Sequence, residues 1–383
     1  MPSAPRNGLP TRNGSPVNGS PVSTAAPLVR AADILPSVPA SDAMGHTALG
    51  AVLADRTVLL TGAGGSIGTQ LSRHLADLRP RHLVLVDVSE YNVFRLEQAL
   101  HRAAPGVPVT CLIADVRDAD RMASLFDTHR PDLVIHAAAY KHVPLMERHP
   151  IEAFRNNTRA TAGLLRLAEA RGAEQFILIS TDKAVEPSGV LGYTKRLAEW
   201  YVASAAPPLA GKVVRFGNVF GSQGSVVPLF REQILRGGPV TLTHPAMQRF
   251  FMSTEEACRL VLQTIGLDEA SIFVLRTEPV SILWLARRMI EHLKPWAPGP
   301  VAIEYVGLRP GEKLTERLWE PEERPVPTAH AGILGLDTPA PPSRADLDAL
   351  FDRIEALCRS GRAEAVREAL RRSLQDAAVP RTA

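Results

Sequence analysis

Residues 180–195 carry the groups whose types and spacing could move protons. Ser180-Thr181-Asp182-Lys183 sets hydroxyls, a carboxyl and an amine side by side, and Lys195 adds a second amine after Leu191-Gly192-Tyr193-Thr194. Such groups act as general acids and bases when they are held against a substrate. The preceding run, Phe176-Ile177-Leu178-Ile179, reads as a buried parallel strand. The pattern after it predicts a helix from about Tyr193 to Ala203. The corner therefore falls at the carboxyl end of a strand, where open α/β sheets bind their ligands.

A cofactor site is legible upstream. Thr57-Val58-Leu59-Leu60 reads as a first strand, followed by Thr61-Gly62-Ala63-Gly64-Gly65-Ser66-Ile67-Gly68 running into a helix. Gly62, Gly65 and Gly68 give a G-x-x-G-x-x-G spacing. Missing Cβ atoms there permit a tight turn, close approach of a pyrophosphate and helix–strand packing, and the helix N-terminus faces the phosphates. The next strand, His82–Val86, ends at Asp87. That acid lies about 20 residues beyond the loop, where a dinucleotide-binding unit binds ribose hydroxyls. An acid there favours NAD over NADP.

Thr110–Ala114 leads to Asp115-Val116, and Leu133–His136 leads to Ala137-Ala138-Ala139. Small residues at a strand end let a flat cofactor pass. Lys141 and His142 follow, as ligand contacts or as a solvated loop edge. His136 reads as a core histidine, and His136, His142 and His149 make no metal set. Residues 151–172 read as a long helix carrying Asn157, and Val213–Phe216 as a further strand. Alternating strands and helices imply a parallel, doubly wound sheet with right-handed crossovers.

Beyond Gly217 the pattern loosens into a loop rich in backbone donors. Arg249 and Arg309, the latter in Arg309-Pro310-Gly311-Glu312-Lys313, are candidates to pair with phosphate, which a guanidinium fork suits. The domain reading is a disordered tail over 1–48, a dinucleotide-binding domain over 52–216, a smaller substrate-binding lobe over 217–330, and a linker with one amphipathic C-terminal helix over 331–383.

Bulk properties narrow the class. The 383 residues suffice for a large core, and 45% hydrophobic with 22% charged residues is ordinary for a globular protein. A formal net charge of +3 without a long basic run points away from nucleic acid. Three scattered cysteines, Cys111, Cys258 and Cys358, fit a reduced cytoplasmic enzyme rather than a disulfide scaffold. No apolar stretch is long enough to span a membrane.

The chain resembles the extended short-chain dehydrogenase/reductases over about residues 52–320. Within them it is most similar to the polysaccharide-biosynthesis UDP-N-acetylglucosamine 4,6-dehydratases. The marks are Thr61-Gly62…Gly68, Ala138-Ala139-Tyr140-Lys141-His142-Val143-Pro144, Ser180–Val185, Arg215-Phe216-Gly217-Asn218-Val219, Thr243-His244-Pro245 and Gly307–Lys313. Many relatives carry an N-terminal membrane region; this chain, with its polar tail, resembles the soluble form. The superfamily's Tyr-x-x-x-Lys stands here as Leu191 and Lys195. Tyr193, two residues before the lysine, lies on nearly the opposite helix face from 191. The membrane-anchored relatives also lack the tyrosine.

The resemblance implies a cofactor site of Gly62, Gly65, Ser66, Ile67, Gly68, Asp87, Asp115, Val116, Ala138, Lys141 and Lys195. It implies a UDP-sugar site of Lys141, Asn218, Arg249, Arg309 and Glu312, no metal, and assembly as a homo-oligomer. It implies oxidation at C4 by NAD, loss of water across C5–C6 and return of hydride to C6. Lys183 is then the base at C5, Asp182 the acid at the C6 hydroxyl, Thr181 a partner of O4, and Lys195 a ribose ligand. Two alternatives stand beside this. One is a related epimerase or a dehydratase acting elsewhere on the ring. The other is a catalytically silent NAD-binding protein, for which Leu191 argues and the intact Thr181, Asp182, Lys183 and Lys195 argue against.

Overall fold

The computed structural model describes residues 28–35, 45–104 and 106–378. Most of the expected tail lies outside these residues. Its described parts depart from the expectation: Val29 and Ile34 are buried in the core of the smaller lobe, and residues 46–48 begin the helix His46–Leu53, whose Leu49 and Leu53, just beyond the tail, are buried beneath the main sheet.

Six strands form as read. They are β1 (Thr57–Thr61), β2 (His82–Asp87), β3 (Val109–Ile113), β4 (Leu133–His136), β5 (Gln175–Ile179) and β6 (Ala210–Arg215). All their pairings are parallel, in the order β3-β2-β1-β4-β5-β6. The order reverses between β1 and β4, which opens the crevice of a doubly wound sheet at their carboxyl ends. Alternate residues feed two cores. Leu59, Val84, Val134, Phe176 and Val213 face one layer of helices, and Leu60, Leu85, Ile135, Ile177 and Val214 face the other. Burial on both faces is why these strands are continuous apolar runs.

The smaller lobe contains β7 (Asn218–Val219), β8 (Val240–Leu242), β9 (Gln248–Met252), β11 (Pro279–Ser281) and β12 (Ile303–Tyr305). It has its own core of Phe230, Ile234, Leu242, Leu285 and Met289. The main sheet crosses the boundary drawn at residue 217. Strand β10 (Ile272–Leu275) pairs parallel with β6, and β14 (Ile333–Asp337) and β13 (Arg324–Pro327) extend the sheet antiparallel.

The C-terminal segment is two helices, Arg344–Arg359 and Ala363–Ala378, rather than the single helix expected. Gly361, with φ +69°, breaks the pattern. The hairpin buries Leu347, Phe351, Ile354, Val366 and Leu370 against the layer that contains the helix Val190–Ala203. No helix among the described residues is long and apolar enough to cross a membrane.

Candidate active site

The glycine loop follows β1 at the switch point. Gly62 has φ +67°, and a Cβ there would stand 2.6 Å from the Ala138 amide nitrogen. A Cβ on Gly68 would fall 2.0 Å from the Gly62 carbonyl oxygen. The two loops thus touch only because side chains are missing. The helix Ser66–Asp77 begins after Gly65 without a side-chain cap, leaving amides that suit an anion. Asp87 accepts from the Gly64 amide on one oxygen and from the Ser89 amide on the other, both at 2.9 Å. This cradle fits a dinucleotide. Ser66 accepts from the Gln223 amide at 3.1 Å, and Ile67 receives the Cys258 thiol on its carbonyl.

Asp115 and Val116 follow β3. Arg117 donates to both oxygens of Asp115, and these bonds hold its carboxyl below the usual range. Ala138 and its neighbours are fixed through Asn157. Its side chain accepts from the Tyr140 amide at 2.9 Å and donates to the Tyr140 carbonyl at 3.0 Å. Asn157 lies in a π-turn, Arg155–Arg159, inside the region read as a plain helix. Lys141 is exposed, though partial shielding of its amine lowers its pKa. His136 is the expected core histidine. Its ring bonds to Thr61 and Thr161, and burial pushes it down to about 3, so it is neutral.

The corner after β5 is a short 3-10 turn, Asp182–Ala184, capped by the Thr181 hydroxyl. Asp182 is fully buried. Its Oδ1 accepts from the Thr181 hydroxyl and from Lys183 Nζ, each at 2.9 Å, while its buried Oδ2 has no hydrogen-bond partner. Lys183 Nζ also donates to Asn218 Oδ1 at 3.2 Å. The lobe thereby contributes directly to the corner.

The next helix begins at Val190, earlier than expected, because Glu147 Oε1 accepts from the Val190 amide at 2.6 Å. Lys195 is buried and donates to the Ile179 carbonyl at 2.7 Å. Burial lowers its pKa to about 8 against the opposing charge of Glu199. Leu191 is buried in the apolar core. Tyr193 is half-buried among Glu147, Glu368 and Arg371, and burial raises its pKa. It packs toward the C-terminal hairpin and does not take the place of the missing tyrosine.

The remaining residues of the expected substrate set divide. Arg249 is buried, and its guanidinium donates to the carbonyls of Gln248, Lys313 and Leu314 at 2.7–3.2 Å, with Glu316 at 4.0 Å. In this arrangement it ties the 313–316 segment to β9 instead of offering itself to a phosphate. Glu312 accepts from the Arg309 amide at 3.1 Å and closes the turn locally, while Arg309 is exposed. That turn docks on the corner: Lys313 Nζ donates to the Val185 carbonyl at 2.9 Å, and Ser188 donates to the Gly311 carbonyl at 3.2 Å. No cluster that could hold a metal occurs among the described residues.

Sequence reasoning missed Glu147 and the buried charges Glu199, Arg215 and Glu323. A signal for the last group was present: Arg215 closes the apolar strand Val213-Val214, where an unpaired charge would be costly.

A family model described as "Polysaccharide biosynthesis protein" matches residues 58–337. The chain belongs to that family. The probable polysaccharide biosynthesis protein EpsC of Bacillus subtilis (strain 168) is 45% identical over 273 residues, covering 70% of this chain and 46% of EpsC. The chain thus spans about half the length of that relative. A UDP-glucose 4-epimerase of Rickettsia massiliae is 32% identical over 279 residues, 70% of this chain and 79% of the epimerase. Among solved structures, Pen from Bacillus thuringiensis matches with TM-score 0.68 at 30% identity, covering 76% of this chain and 92% of Pen. The fold is also that of DesIV, a dTDP-glucose 4,6-dehydratase from Streptomyces venezuelae with NAD bound. DesIV has TM-score 0.58 at 22% identity, covering 67% of this chain and 86% of its own. The expected family and the doubly wound fold are both borne out.

Proposed function

We propose that the chain is a nucleotide-sugar 4,6-dehydratase acting on UDP-N-acetylglucosamine with NAD, in the making of polysaccharide sugars. The observation that carries the reading is the buried Asp182, paired with Lys183 at 2.9 Å and keeping one carboxylate oxygen without a partner. Asp182 and Lys183 can exchange one proton along that contact. The ion pair and the neutral pair are two forms of one arrangement. In the neutral form Lys183 is a base for the C5 proton and Asp182 an acid for the departing C6 hydroxyl. Asn218 orients the lysine, and Thr181 hydrogen-bonds O4.

NAD, when bound, supplies the reversible redox step that makes the C5 proton acidic. Gly62, Gly65, Ser66, Ile67 and Gly68 hold its pyrophosphate, and Asp87 its adenosine ribose in preference to a 2′-phosphate. Asp115, Val116 and Ala138 line its path, and Lys141 and Lys195 contact its nicotinamide end. Arg309 is the guanidinium left at the lobe for the diphosphate.

The epimerase-named relatives favour a second reading, C4 epimerisation, but that reaction needs no acid for a leaving hydroxyl and leaves Asp182 without a task. Mass spectrometry of UDP-N-acetylglucosamine incubated with protein and NAD⁺ in D₂O separates the two. Dehydration is expected to give a product lighter by one water and carrying one deuterium. An isomer of unchanged composition would overturn it in favour of epimerisation.

A further inference from the structure

Behind the corner lies a second charged cluster that the reaction does not use. Glu199 is fully buried, one turn after Lys195 on the same helix. Its Oε1 accepts from the Ser180 hydroxyl at 2.5 Å and from Arg215 Nε at 2.9 Å. Its Oε2 accepts from Arg215 Nη2 at 2.7 Å and Arg196 Nη1 at 3.3 Å. Arg215, fully buried at the end of β6, donates to both oxygens of Glu323 at 2.6 and 3.0 Å. Arg196 reaches Glu323 at 2.9 Å, and the Glu320 amide reaches it at 2.8 Å. The Glu320 carboxylate in turn accepts from the Glu186 amide at 2.9 Å.

Burying charges is expensive even when they pair well, and apolar side chains of similar volume hold a core at least as firmly. This cluster ends at two defined places. Ser180 immediately precedes Thr181, and Glu186 follows the turn that contains Lys183. The corner is therefore gripped from both sides, and the same carboxylate sits beside Lys195.

We propose that Glu199 is a positioning residue, which fixes the Thr181–Lys183 turn through Ser180 and supplies the negative charge that keeps Lys195 an ammonium. Glu199 itself is shared with Arg215 and Arg196, and the described residues on the other elements around Lys195 bring it no unpaired carboxylate. β4 presents neutral His136, β5 the Ile179 carbonyl, and the π-turn the uncharged Asn157 and Thr158, which bond to Thr194. The turn after β5 presents Asp182, already paired with Lys183. Burial lowers the Lys195 pKa and Glu199 raises it, so loss of the carboxylate charge lowers it further.

The activity readout rests on the reading under Proposed function, so the first test uses none. Full-length protein with NAD⁺, labelled with ¹³C at lysine Cε, is titrated by NMR, the Lys195 signal being assigned with Lys195→Arg. Glu199→Gln is expected to move the Lys195 midpoint down by about 1 pH unit. An unmoved midpoint in the folded variant overturns the charge role. Ser180→Ala cuts only the link to the corner. It is expected to lower kcat on UDP-N-acetylglucosamine about 10-fold, with KM, NAD⁺ affinity and Tm unchanged; an unchanged kcat overturns the positioning role. If Glu199→Gln does not fold, Glu199→Asp replaces it. It is expected to keep the midpoint and lose kcat as Ser180→Ala does, whereas full kcat counts against the proposal. If wild-type protein leaves the sugar nucleotide untouched, the dehydratase reading falls and the midpoint shift still decides the role of Glu199.

Discussion

Two buried charged clusters flank Thr181, and they are finished differently. In the Glu199–Arg215–Glu323 cluster every carboxylate oxygen accepts two donors, and the three side chains are at most 1% exposed. In the Asp182–Lys183 pair one carboxylate oxygen has no partner, and the lysine side chain is 22% exposed. Polar capacity that is used up holds a fold together. Capacity left over is available to a substrate, at some cost to stability. The contrast sets a fully satisfied cluster beside a corner that keeps unused polar capacity.

Three variants test the contrast. Arg215→Met leaves two buried carboxylates without their shared cation and is expected to cost about 3–5 kcal/mol of stability in denaturant unfolding. A cost near zero would show that the cluster is not the scaffold described. Lys183→Ala is expected to lower kcat about 10³-fold while NAD⁺ affinity stays as in the wild type and Tm falls less than in Arg215→Met. A fall in Tm like that of Arg215→Met would merge the two clusters into one. Glu323 sharpens the comparison through pH. Burial alone raises its pKa, but hydrogen bonds and charge from Arg215, with Arg196, win and hold it at about 2, below the ordinary 4.5. A depressed carboxyl contributes stability that is complete above the unfolded value and lost as pH falls through the folded one. Acid titration of stability is therefore expected to show a loss between about pH 4.5 and 2 that is smaller in Glu323→Gln; an identical acid limb would contradict it.

Much of this was legible in the residues because it depends on local pattern. β1, β2, β4 and β5 are apolar runs buried on both faces, the glycine loop has no room for side chains, and Asp182-Lys183 sits where a strand stops. The misplacement of Tyr193 followed from helical spacing alone. What escaped depends on distant partners. The role of Arg249 is set by main-chain carbonyls of residues 313 and 314, which no side-chain pattern reveals. β13 has two prolines in four residues and pairs only at the sheet's edge, so it does not read as a strand. The helix start at Val190 depends on a carboxylate 43 residues earlier. The break at Gly361 was hidden inside a continuous amphipathic rhythm.

The C-terminal hairpin has a consequence for how the protein is made. The helix that bears Lys195 packs its outer side against Val366 and Leu370, and Glu147, which caps that helix, is held by Arg367. A growing chain emerges from the ribosome in order, so the glycine loop and the first six strands are available long before these residues. The cofactor cradle can assemble early in synthesis. The Thr181–Lys183 corner receives its last support only after residues 363–378 have emerged.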